Sequence, residues 1–416
     1  MVSRTVNPLT PSNITTLRAA LHPAARRLLD SAVDAATEAR LALWAVGGPI
    51  RDTALARRLE DIDLSIDGEA AAIATVIATR LDSTLTLEPR FGTASVTLDG
   101  DRLDLASIRG ERYPTPGALP SVTLGATIED DLARRDFSVN SIALALTGPR
   151  AGELLDPYSG LHDLATTRFS VLHDRSFEDD ATRLWRAARL AAQRNLRPHP
   201  HTRALIEDGA RWLVPISGHR LWIELTLVAQ RGRAARTFAL LDEWGVLAGT
   251  HPAFALPGAS RRALRHRWLP LPPETLAATL LAPLPPAEAT AILDRLDAPG
   301  PARQAVEGAR TLLTAALTAS PDTLDPLAST TPEARTAARW LGGRPQIELQ
   351  RQLHRWEWTR PHLDANDLLR LGIPEGPSLG KSLHTLRRAR YLGTLRSPSQ
   401  ARALINSQQR ATRSQP

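Results

Sequence analysis

Cysteine is absent from this sequence of 416 residues, and methionine and lysine each occur once. The absence of cysteine excludes disulfide bonds and thiolate metal sites. Aromatic residues make up only 4%, so leucine, alanine and valine must fill the cores that a hydrophobic content of 43% provides. No apolar run approaches the roughly 20 residues that span a membrane, and the first residues lack the apolar core of a signal peptide. We therefore expect a cytoplasmic protein of about two to four domains, with no membrane partner and no obligate protein partner evident.

Arginine carries almost all of the positive charge, because Lys381 is the only lysine. The 51 basic and 44 acidic side chains give a net charge of +7, and the pI is near 10.7. Arginine suits bidentate contacts with phosphates and bases, so this balance indicates a polyanionic partner, most simply a nucleic acid. A GC-rich gene would enrich arginine in the same way, so the charge alone leaves both explanations open.

A glycine pair follows an apolar run near the N-terminus. Residues 41–46 predict a strand, Gly47 and Gly48 a turn, and the amphipathic residues that include Arg51 and Asp52 a helix. Glycines let backbone N–H groups approach a phosphate, and a helix N-terminus favours negative charge. The pattern predicts a phosphate-binding turn, although a plain strand-to-helix turn has the same signature.

Two carboxylates follow on the next predicted strand. Asp61 and Asp63 are two residues apart, so their side chains are expected on one face, where they can hold a divalent metal. A phosphate-binding turn beside paired carboxylates is typical of metal-assisted phosphoryl transfer. A solvated strand end is the simpler alternative for the pair alone.

A predicted β-hairpin supplies a third carboxylate. Two alternating runs within 91–109 flank Asp99-Gly100, a favoured two-residue turn. Asp104 is expected on the face opposite Leu103 and Leu105, where it can bind the metal or act as a general base. A solvent-facing strand carboxylate explains it equally well.

Four further segments carry structural predictions. The Pro- and Gly-rich residues 111–125 predict a loop, and residues 129–145 predict one helix with Arg134, Arg135 and Asp136 clustered in it. Residues 179–193 predict another helix, and the periodicity is helical throughout from residue 218 onwards.

The helix predicted over 179–193 has the chemistry to read a base. Arg183, Arg186 and Arg189 recur every third residue, and Asp180 lies one turn before Arg183. Arginine donates to ring acceptors, and aspartate accepts from an exocyclic amine. Cytosine and adenine present an amine beside a ring-nitrogen acceptor, whereas guanine and uracil do not. An exposed, salt-bridged helix face is the alternative.

Eight short segments, spread over nearly the whole chain, follow one family's motifs in order. They are GGPIRD at 47–52, DIDL at 61–64, LDLASIR at 103–109, RRDFSVNSIAL at 134–144, DPYSGLHDL at 156–164, DDATRLWRAARLAA at 179–192, GHRLWIELTLV at 218–228 and LDANDLLRLGIPEGPSLGKSL at 363–383. The chain thus resembles the class II tRNA nucleotidyltransferases, the CCA-adding enzymes, together with the bacterial poly(A) polymerases that share their fold.

This resemblance implies an α+β fold. An N-terminal nucleotidyltransferase head with a small mixed β-sheet would be followed by an all-α neck, body and tail. The implied ranges are 1–150 for the catalytic head, 151–216 for the neck with the nucleobase-recognition helix, 217–300 for the body and 301–416 for a tRNA-binding tail.

The resemblance also implies roles for individual residues. Asp61 and Asp63 would hold Mg²⁺, with Asp104 as the third catalytic carboxylate. Asp180 and Arg183 would act as an amino-acid template that pairs with the incoming cytosine or adenine. The other nucleotide-binding positions implied by the motifs are Gly47, Gly48, Arg51, Asp52, Arg135, Asp136, Asn140, Asp179, Arg186 and Arg189. The family usually has glutamate at the position of Asp179.

The implied activity is Mg²⁺-dependent, template-independent addition of CCA to the 3′ end of tRNA from CTP and ATP. The tail would hold the tRNA elbow and acceptor stem. A CC-only enzyme, an A-only enzyme and a poly(A) polymerase are alternatives within the family. A non-catalytic RNA-binding protein is the alternative from another class, and the presence of all three carboxylates argues against it.

Overall fold

The computed structural model describes residues 13–57, 59, 61–89, 92–315 and 321–413. The chain divides into two compact units, one of residues 1–224 with 236–255 and one of residues 225–235 with 256–416. The predicted fold class, an α+β head followed by helices, is confirmed. The finer division into head, neck, body and tail stays a prediction.

A seven-stranded mixed sheet forms the head. Its strands are β1 Leu43–Val46, β2 Asp61–Ile66, β3 Thr84–Glu88, β4 Thr93–Leu98, β5 Asp101–Ser107, β8 Ala143–Ala145 and β9 Leu154–Leu155. Their order is β3-β4-β5-β2-β1-β8-β9, and the neighbours are antiparallel except for β2 and β5, which run parallel. The predicted hairpin is confirmed, because Asp99 and Gly100, both with positive φ, connect β4 to β5.

A separate hairpin pairs β6, Arg109–Arg112, with β7, Ser121–Leu124. The prediction of a loop over 111–125 is therefore wrong at both ends. Only residues 113–120 connect the strands, and the prolines and glycine that suggested a loop lie mostly there.

Helices cover one face of the head sheet. The helices of this part of the chain are α1 Asn13–Ala19, α2 Pro23–Glu38, α3 Gly48–Ala54, α4 Ala70–Leu81 and α5 Ile128–Ala133. The apolar sides of α2 and α4 pack against β4 and β5. Leu103 and Leu105 are buried on that side, so by the alternation of the strand Asp104 lies on the other face, as predicted.

The single helix predicted over 129–145 is wrong. After α5 the chain becomes extended at Phe137, forms a short 3-10 turn at Ser138–Asn140 and then enters β8. The apolar residues 142–146 are all buried, because β8 is an inner strand between β1 and β9. A short apolar run of this kind fits a buried strand and a buried helix equally well.

Short elements follow the head sheet. They are α6 Gly160–Ala165, the parallel strands β10 Arg168–Phe169 and β11 Arg197–Pro198, α7 Ser176–Asp179, α8 Thr182–Arg194 and α9 Pro200–Gly209. The helix predicted over 179–193 is wrong at its start. Asp180 has an extended backbone (φ −143°, ψ 95°), which separates α7 from α8.

From residue 218 onwards the described elements are all helices, as the periodicity predicts. They are α10 Gly218–Arg231, α11 Ala234–Glu243, α12 Val246–Thr250, α13 Gly258–Leu264, α14 Pro273–Leu281, α15 Pro286–Arg295, α16 Gly300–Thr314, α17 Pro321–Ala328, α18 Pro332–Gly342, α19 Arg344–Trp358, α20 Ala365–Arg370, α21 Pro377–Tyr391 and α22 Pro398–Arg413. Within the described ranges, no helix combines the length and hydropathy needed to cross a bilayer.

Candidate active site

The glycine pair forms the turn at which α3 begins. Gly47 has φ = +65°, a region that favours glycine, and its N–H donates to the Ile142 carbonyl at 2.9 Å. A Cβ on Gly47 would lie 3.1 Å from Nη1 of Arg135, and a Cβ on Gly48 would lie 3.2 Å from Oδ2 of Asp63. The turn therefore lies against both an arginine and a carboxylate.

Asp63 and Asp104 lie directly opposite each other on β2 and β5. Opposite residues of neighbouring strands are about 5 Å apart and point to the same face. Asp104 Oδ1 accepts hydrogen bonds from Nε of Arg102, at 2.8 Å, and from the Ser95 hydroxyl. These donors orient the Asp104 carboxylate next to Asp63.

Asp61 begins β2, but its side chain lies outside the described part of the structure. Among the side chains that are described, no group of three or more His, Asp or Glu residues could hold a metal ion. Asp63 and Asp104 do match the oxygen donors that Mg²⁺ prefers, because they are carboxylates at opposite positions of paired strands. Oδ2 of Asp63 also lies beside Gly48, which has no Cβ to crowd a ligand.

Arg51 connects the glycine turn to two other segments. Its guanidinium donates to Oδ2 of Asp52, at 2.8 Å, and to the side-chain oxygen of Asn140. The side-chain nitrogen Nδ2 of Asn140 in turn donates to Oδ1 of Asp136 at 2.9 Å. Asp52 also accepts from Nη2 of Arg194, at 2.8 Å, at the end of α8. Burial raises the pKa of Asp52, but the two guanidiniums outweigh burial and hold that pKa below its ordinary value.

A buried carboxylate positions the clustered arginines. Asp131 is fully buried and accepts from Nη2 of Arg134 at 2.6 Å and from Nη2 of Arg135 at 2.8 Å. Arg134 also donates to Oε1 of Glu111 at 2.8 Å. These contacts hold Arg135 against Gly47, where its Nη1 faces the turn.

Asp180 is buried immediately before α8. Its Oδ1 accepts from the Thr182 N–H at 3.0 Å, from the Thr182 hydroxyl at 2.7 Å and from Nη2 of Arg220 at 2.7 Å. Burial raises the pKa of Asp180, but the charges of Arg186, Arg220 and Arg183 outweigh burial and lower that pKa. Asp180 is therefore an acceptor at neutral pH, as contact with an amine requires.

Arg183 joins this segment to the clustered arginines. Only 3% of the residue is exposed, and its guanidinium donates to the Ser176 hydroxyl at 2.8 Å and to the Arg134 carbonyl at 2.9 Å. The guanidinium carbon lies 5.8 Å from the centre of the Tyr113 ring. These hydrogen bonds involve Nη1 and Nη2, and a guanidinium has five N–H donors in all.

Two further arginines of α8 share one carboxylate. Arg186 Nε and Arg189 Nη1 donate to the two oxygens of Glu224, at 3.0 and 2.9 Å, and Glu224 is buried. Asp179, at the end of α7, lies 3.8 Å from Arg175 and 3.9 Å from His173. The ion pair of Asp179 is therefore with Arg175 and not with Arg183, because burial lowers the pKa of His173 and leaves its imidazole neutral at pH 7.

Sequence reasoning missed five residues that support the site. Asp131 had a usable signal, because it lies three and four positions before the clustered arginines on a helix. The others contact residues that are distant in sequence, so no local pattern marks them: Glu111, Arg194, Arg220 and Glu224.

Comparison with known proteins identifies the family. A model of the poly(A) polymerase head domain matches residues 43–169. The CC-adding tRNA nucleotidyltransferase of Deinococcus radiodurans is 34% identical over 367 residues, which are 87% of this chain and 88% of that protein. The A-adding tRNA nucleotidyltransferase of Halalkalibacterium halodurans is 31% identical over 393 residues, which are 90% of each. The chain belongs to the tRNA nucleotidyltransferase family and is a nucleotidyltransferase.

Solved structures of CCA-adding enzymes have the same fold. The Thermotoga maritima CCA-adding enzyme complexed with tRNA gives a TM-score of 0.71, covers 95% of this chain and 98% of its own, and is 22% identical. At this level of identity the likeness shows the fold alone.

Proposed function

We propose that this chain extends the 3′ end of tRNA with cytidine and adenosine nucleotides taken from CTP and ATP. The 3′-hydroxyl attacks the α-phosphate, a phosphodiester bond forms, and pyrophosphate leaves as the bond between the α- and β-phosphates breaks. One observation carries the proposal: the hydrogen bond from Arg183 Nη2 to the Arg134 carbonyl, at 2.9 Å. It joins the base-selecting residues to the arginines beside the glycine turn, as a site that must hold a base and a triphosphate together requires.

Asp63 and Asp104, with Asp61, would hold Mg²⁺. When bound there, Mg²⁺ supplies the positive charge that lowers the pKa of the attacking hydroxyl and stabilises the pyrophosphate leaving group. Arg135 presents its Nη1 at the glycine turn, where it can donate to a phosphate oxygen. Because Asp131 fixes this guanidinium, little conformational freedom is lost when the triphosphate binds.

Asp180 and Arg183 would select the base. The Asp180 carboxylate accepts a hydrogen bond from the amine of cytosine or adenine, and Arg183 donates to the adjacent ring nitrogen. Uracil and guanine place a carbonyl oxygen where the amine is needed, so two acceptors would face each other in a buried site. An unpaired buried acceptor costs about 1–3 kcal/mol, which favours CTP and ATP.

Addition of the two cytidines alone is a second candidate. Over comparable lengths, this chain has a higher sequence identity to the CC-adding relative than to the A-adding relative. This difference favours the second candidate. Both relatives complete only part of the CCA sequence, so they favour a partial activity over the full CCA addition that the motifs predict.

The second unit would hold the body of the tRNA. Helices α18 and α19 form a groove lined by Arg339, Arg351, His354 and Arg355, with Gln350 and Ile347 between them. Arginines along one groove can follow a phosphate backbone and need no base sequence. Such contacts suit an enzyme that must accept every tRNA.

The test uses three tRNA transcripts, ending before the CCA, after one C and after CC. Each is incubated with Mg²⁺ and CTP, ATP or both. Growth to a complete CCA followed by arrest would establish full addition, and arrest at CC would establish the second candidate. Extension of only the CC-ended transcript would mean A addition, and a long adenosine ladder would mean poly(A) synthesis. No extension of any transcript would overturn the proposed function.

A further inference from the structure

Arg220, near the start of α10, bridges two separate segments of the first unit. Its Nη2 donates to Oδ1 of Asp180 at 2.7 Å, and its Nη1 donates to the carbonyl of Gly117 at 3.1 Å. Both charged side chains are shielded, with 20% of Arg220 and 7% of Asp180 exposed. Gly117 lies in the connection between β6 and β7, and a Cβ on it would lie only 2.9 Å from the Pro215 ring. Arg220 therefore spans from a closely packed loop to the base-selecting carboxylate.

The three described donors to Asp180 all converge on one oxygen. The N–H and hydroxyl of Thr182 join Nη2 of Arg220 at Oδ1. A carboxylate oxygen offers about two lone pairs, so three donors saturate Oδ1. Oδ2 receives none of these hydrogen bonds, and it is the oxygen left to accept from a ligand.

We infer that Arg220 is a positioning residue for base selection, which holds Asp180 by Oδ1 so that Oδ2 faces the amine of the incoming base. The inference rests on the proposed function, because it assumes that Asp180 reads the base. Arg220 acts through Asp180 and not on the nucleotide itself. Without it, Thr182 alone would hold the carboxylate, and the link to the 113–120 loop would be lost.

The charges around Asp180 give this role a pH signature. Asp180 faces Arg183 and Arg186 from α8, Arg220 from α10 and Tyr113 from the loop. Burial and the nearby Glu111 raise the pKa of Tyr113 to about 12, so Tyr113 is neutral. Removal of Arg220 takes away one of the positive charges that counteract the effect of burial, so the pKa of Asp180 rises. A protonated carboxyl can donate to the uracil carbonyl, whereas a carboxylate cannot, so misreading should increase as the pH falls.

The experiment compares CTP with UTP on the transcript that lacks CCA. We would measure kcat/KM for each nucleotide between about pH 5 and pH 8 in the wild type, Arg220→Gln, Arg220→Lys and Asp180→Asn. The matched control is Arg211→Gln, since Arg211 forms an exposed ion pair with Asp208.

We expect Arg220→Gln to lower the preference for CTP over UTP by about tenfold, the effect of one charge-assisted hydrogen bond. The preference should fall further towards low pH in this variant and stay constant in the wild type and Arg211→Gln. Arg220→Lys keeps the charge but cannot reach both acceptors, so its value should lie between those of the wild type and Arg220→Gln.

A wild-type preference in Arg220→Gln at every pH would overturn the inference. If Arg220→Gln does not fold, as judged by its melting curve, an unchanged preference in Arg220→Lys would overturn it instead. The proposed function fails separately, through an inactive wild type or through an Asp180→Asn variant that still prefers CTP. Loss of preference in Asp180→Asn with full preference in Arg220→Gln would reject the role of Arg220 alone.

Discussion

Asp63 and Asp104 are direct neighbours across the parallel pairing of β2 with β5, although α4, β3 and β4 separate them in the chain. Two carboxylates opposite each other on paired strands repel, and such a pair destabilises a sheet unless a cation lies between them. The Arg102 guanidinium offsets part of this repulsion at Asp104, and a Mg²⁺ ion held by the two carboxylates, as proposed, would offset more of it.

Asp63→Asn should reduce nucleotide transfer by about a hundredfold or more, because it removes preorganised charge at the reacting phosphate. The substitution preserves the shape of the side chain, so the fold should remain intact. Single-turnover extension of a tRNA transcript measures the rate, and a melting curve checks the fold. Asp67→Asn is the matched control, since Asp67 is exposed immediately after β2. A wild-type rate in Asp63→Asn would remove this carboxylate from the site.

Mg²⁺ should raise the melting temperature of the wild type in the presence of CTP, because a ligand that binds only the folded state stabilises it. Asp63→Asn should lose the Mg²⁺-dependent part of this shift. Equal Mg²⁺-dependent shifts in the two proteins would contradict the assignment, independently of any activity measurement.

Alanine substitutions at Gly47 and Gly48 should have different effects, the first mainly on stability and the second mainly on activity. Gly47→Ala should destabilise the head by about 1–2 kcal/mol, because φ = +65° strains an L residue. Gly48 has an ordinary helical backbone, so Gly48→Ala should melt close to the wild type. Its Cβ would crowd Oδ2 of Asp63, at 3.2 Å, and transfer should therefore fall. Denaturant unfolding and extension assays on both variants test this, and equal effects on stability would contradict it.

Asp131 should make the head sensitive to acid. Burial raises the pKa of Asp131, but Arg135 and Arg134 outweigh burial and lower that pKa below its ordinary value. The carboxylate therefore contributes stability above the unfolded pKa, and this stability is lost as the pH falls through the lower folded pKa. Asp131→Asn should cost about 3–5 kcal/mol at neutral pH, because it leaves the Arg135 guanidinium without its carboxylate and leaves Arg134 with Glu111 alone.

Melting temperatures of the wild type and Asp131→Asn between about pH 3 and pH 7 check this prediction. The two curves should approach each other at the acid end, where the wild-type carboxylate becomes protonated. Curves that stay parallel over the whole range would show that the ionised form of Asp131 contributes nothing.

Arg351→Glu should raise the KM for tRNA and leave the KM for CTP unchanged. Arg351 lines the groove of α18 and α19, and its side chain is 75% exposed. Loss of one phosphate contact should lower the slope of log KM against log salt by about one. Arg370→Glu is a control outside the groove, since Arg370 is exposed on α20. An equal effect on both variants would indicate nonspecific attraction and no defined groove contact.

Much of the fold could be predicted where a local pattern decides the structure. The apolar run before Gly47 forms β1, and Asp99-Gly100 turns between β4 and β5. In each case turn chemistry or periodicity favours one conformation. The prediction of one helix over 129–145 is wrong because part of this segment forms a buried strand between β1 and β9. A short apolar run fits a strand and a helix equally well, so the local sequence does not decide between them.

The supporting contacts of the site could not be predicted in this way. Asp52 pairs with Arg194, 142 positions away, and Asp180 pairs with Arg220, 40 positions away. Such pairs depend on how distant helices pack, and no periodicity within one segment encodes that. The break at Asp180 is similar, because its carboxylate accepts both from the N–H of Thr182 at the start of α8 and from Arg220, which is distant in the sequence.

The parallel pairing of β2 with β5 also bears on how the protein folds. Antiparallel neighbours such as β3, β4 and β5 are joined by short turns, so they can form early and locally. The β2–β5 pairing closes a much longer loop and must form later, because loop closure is unfavourable until the flanking strands are in place. We therefore expect Asp63 and Asp104 to come together after the β3–β4–β5 strands have paired, so that a partly folded chain would lack the proposed Mg²⁺ site.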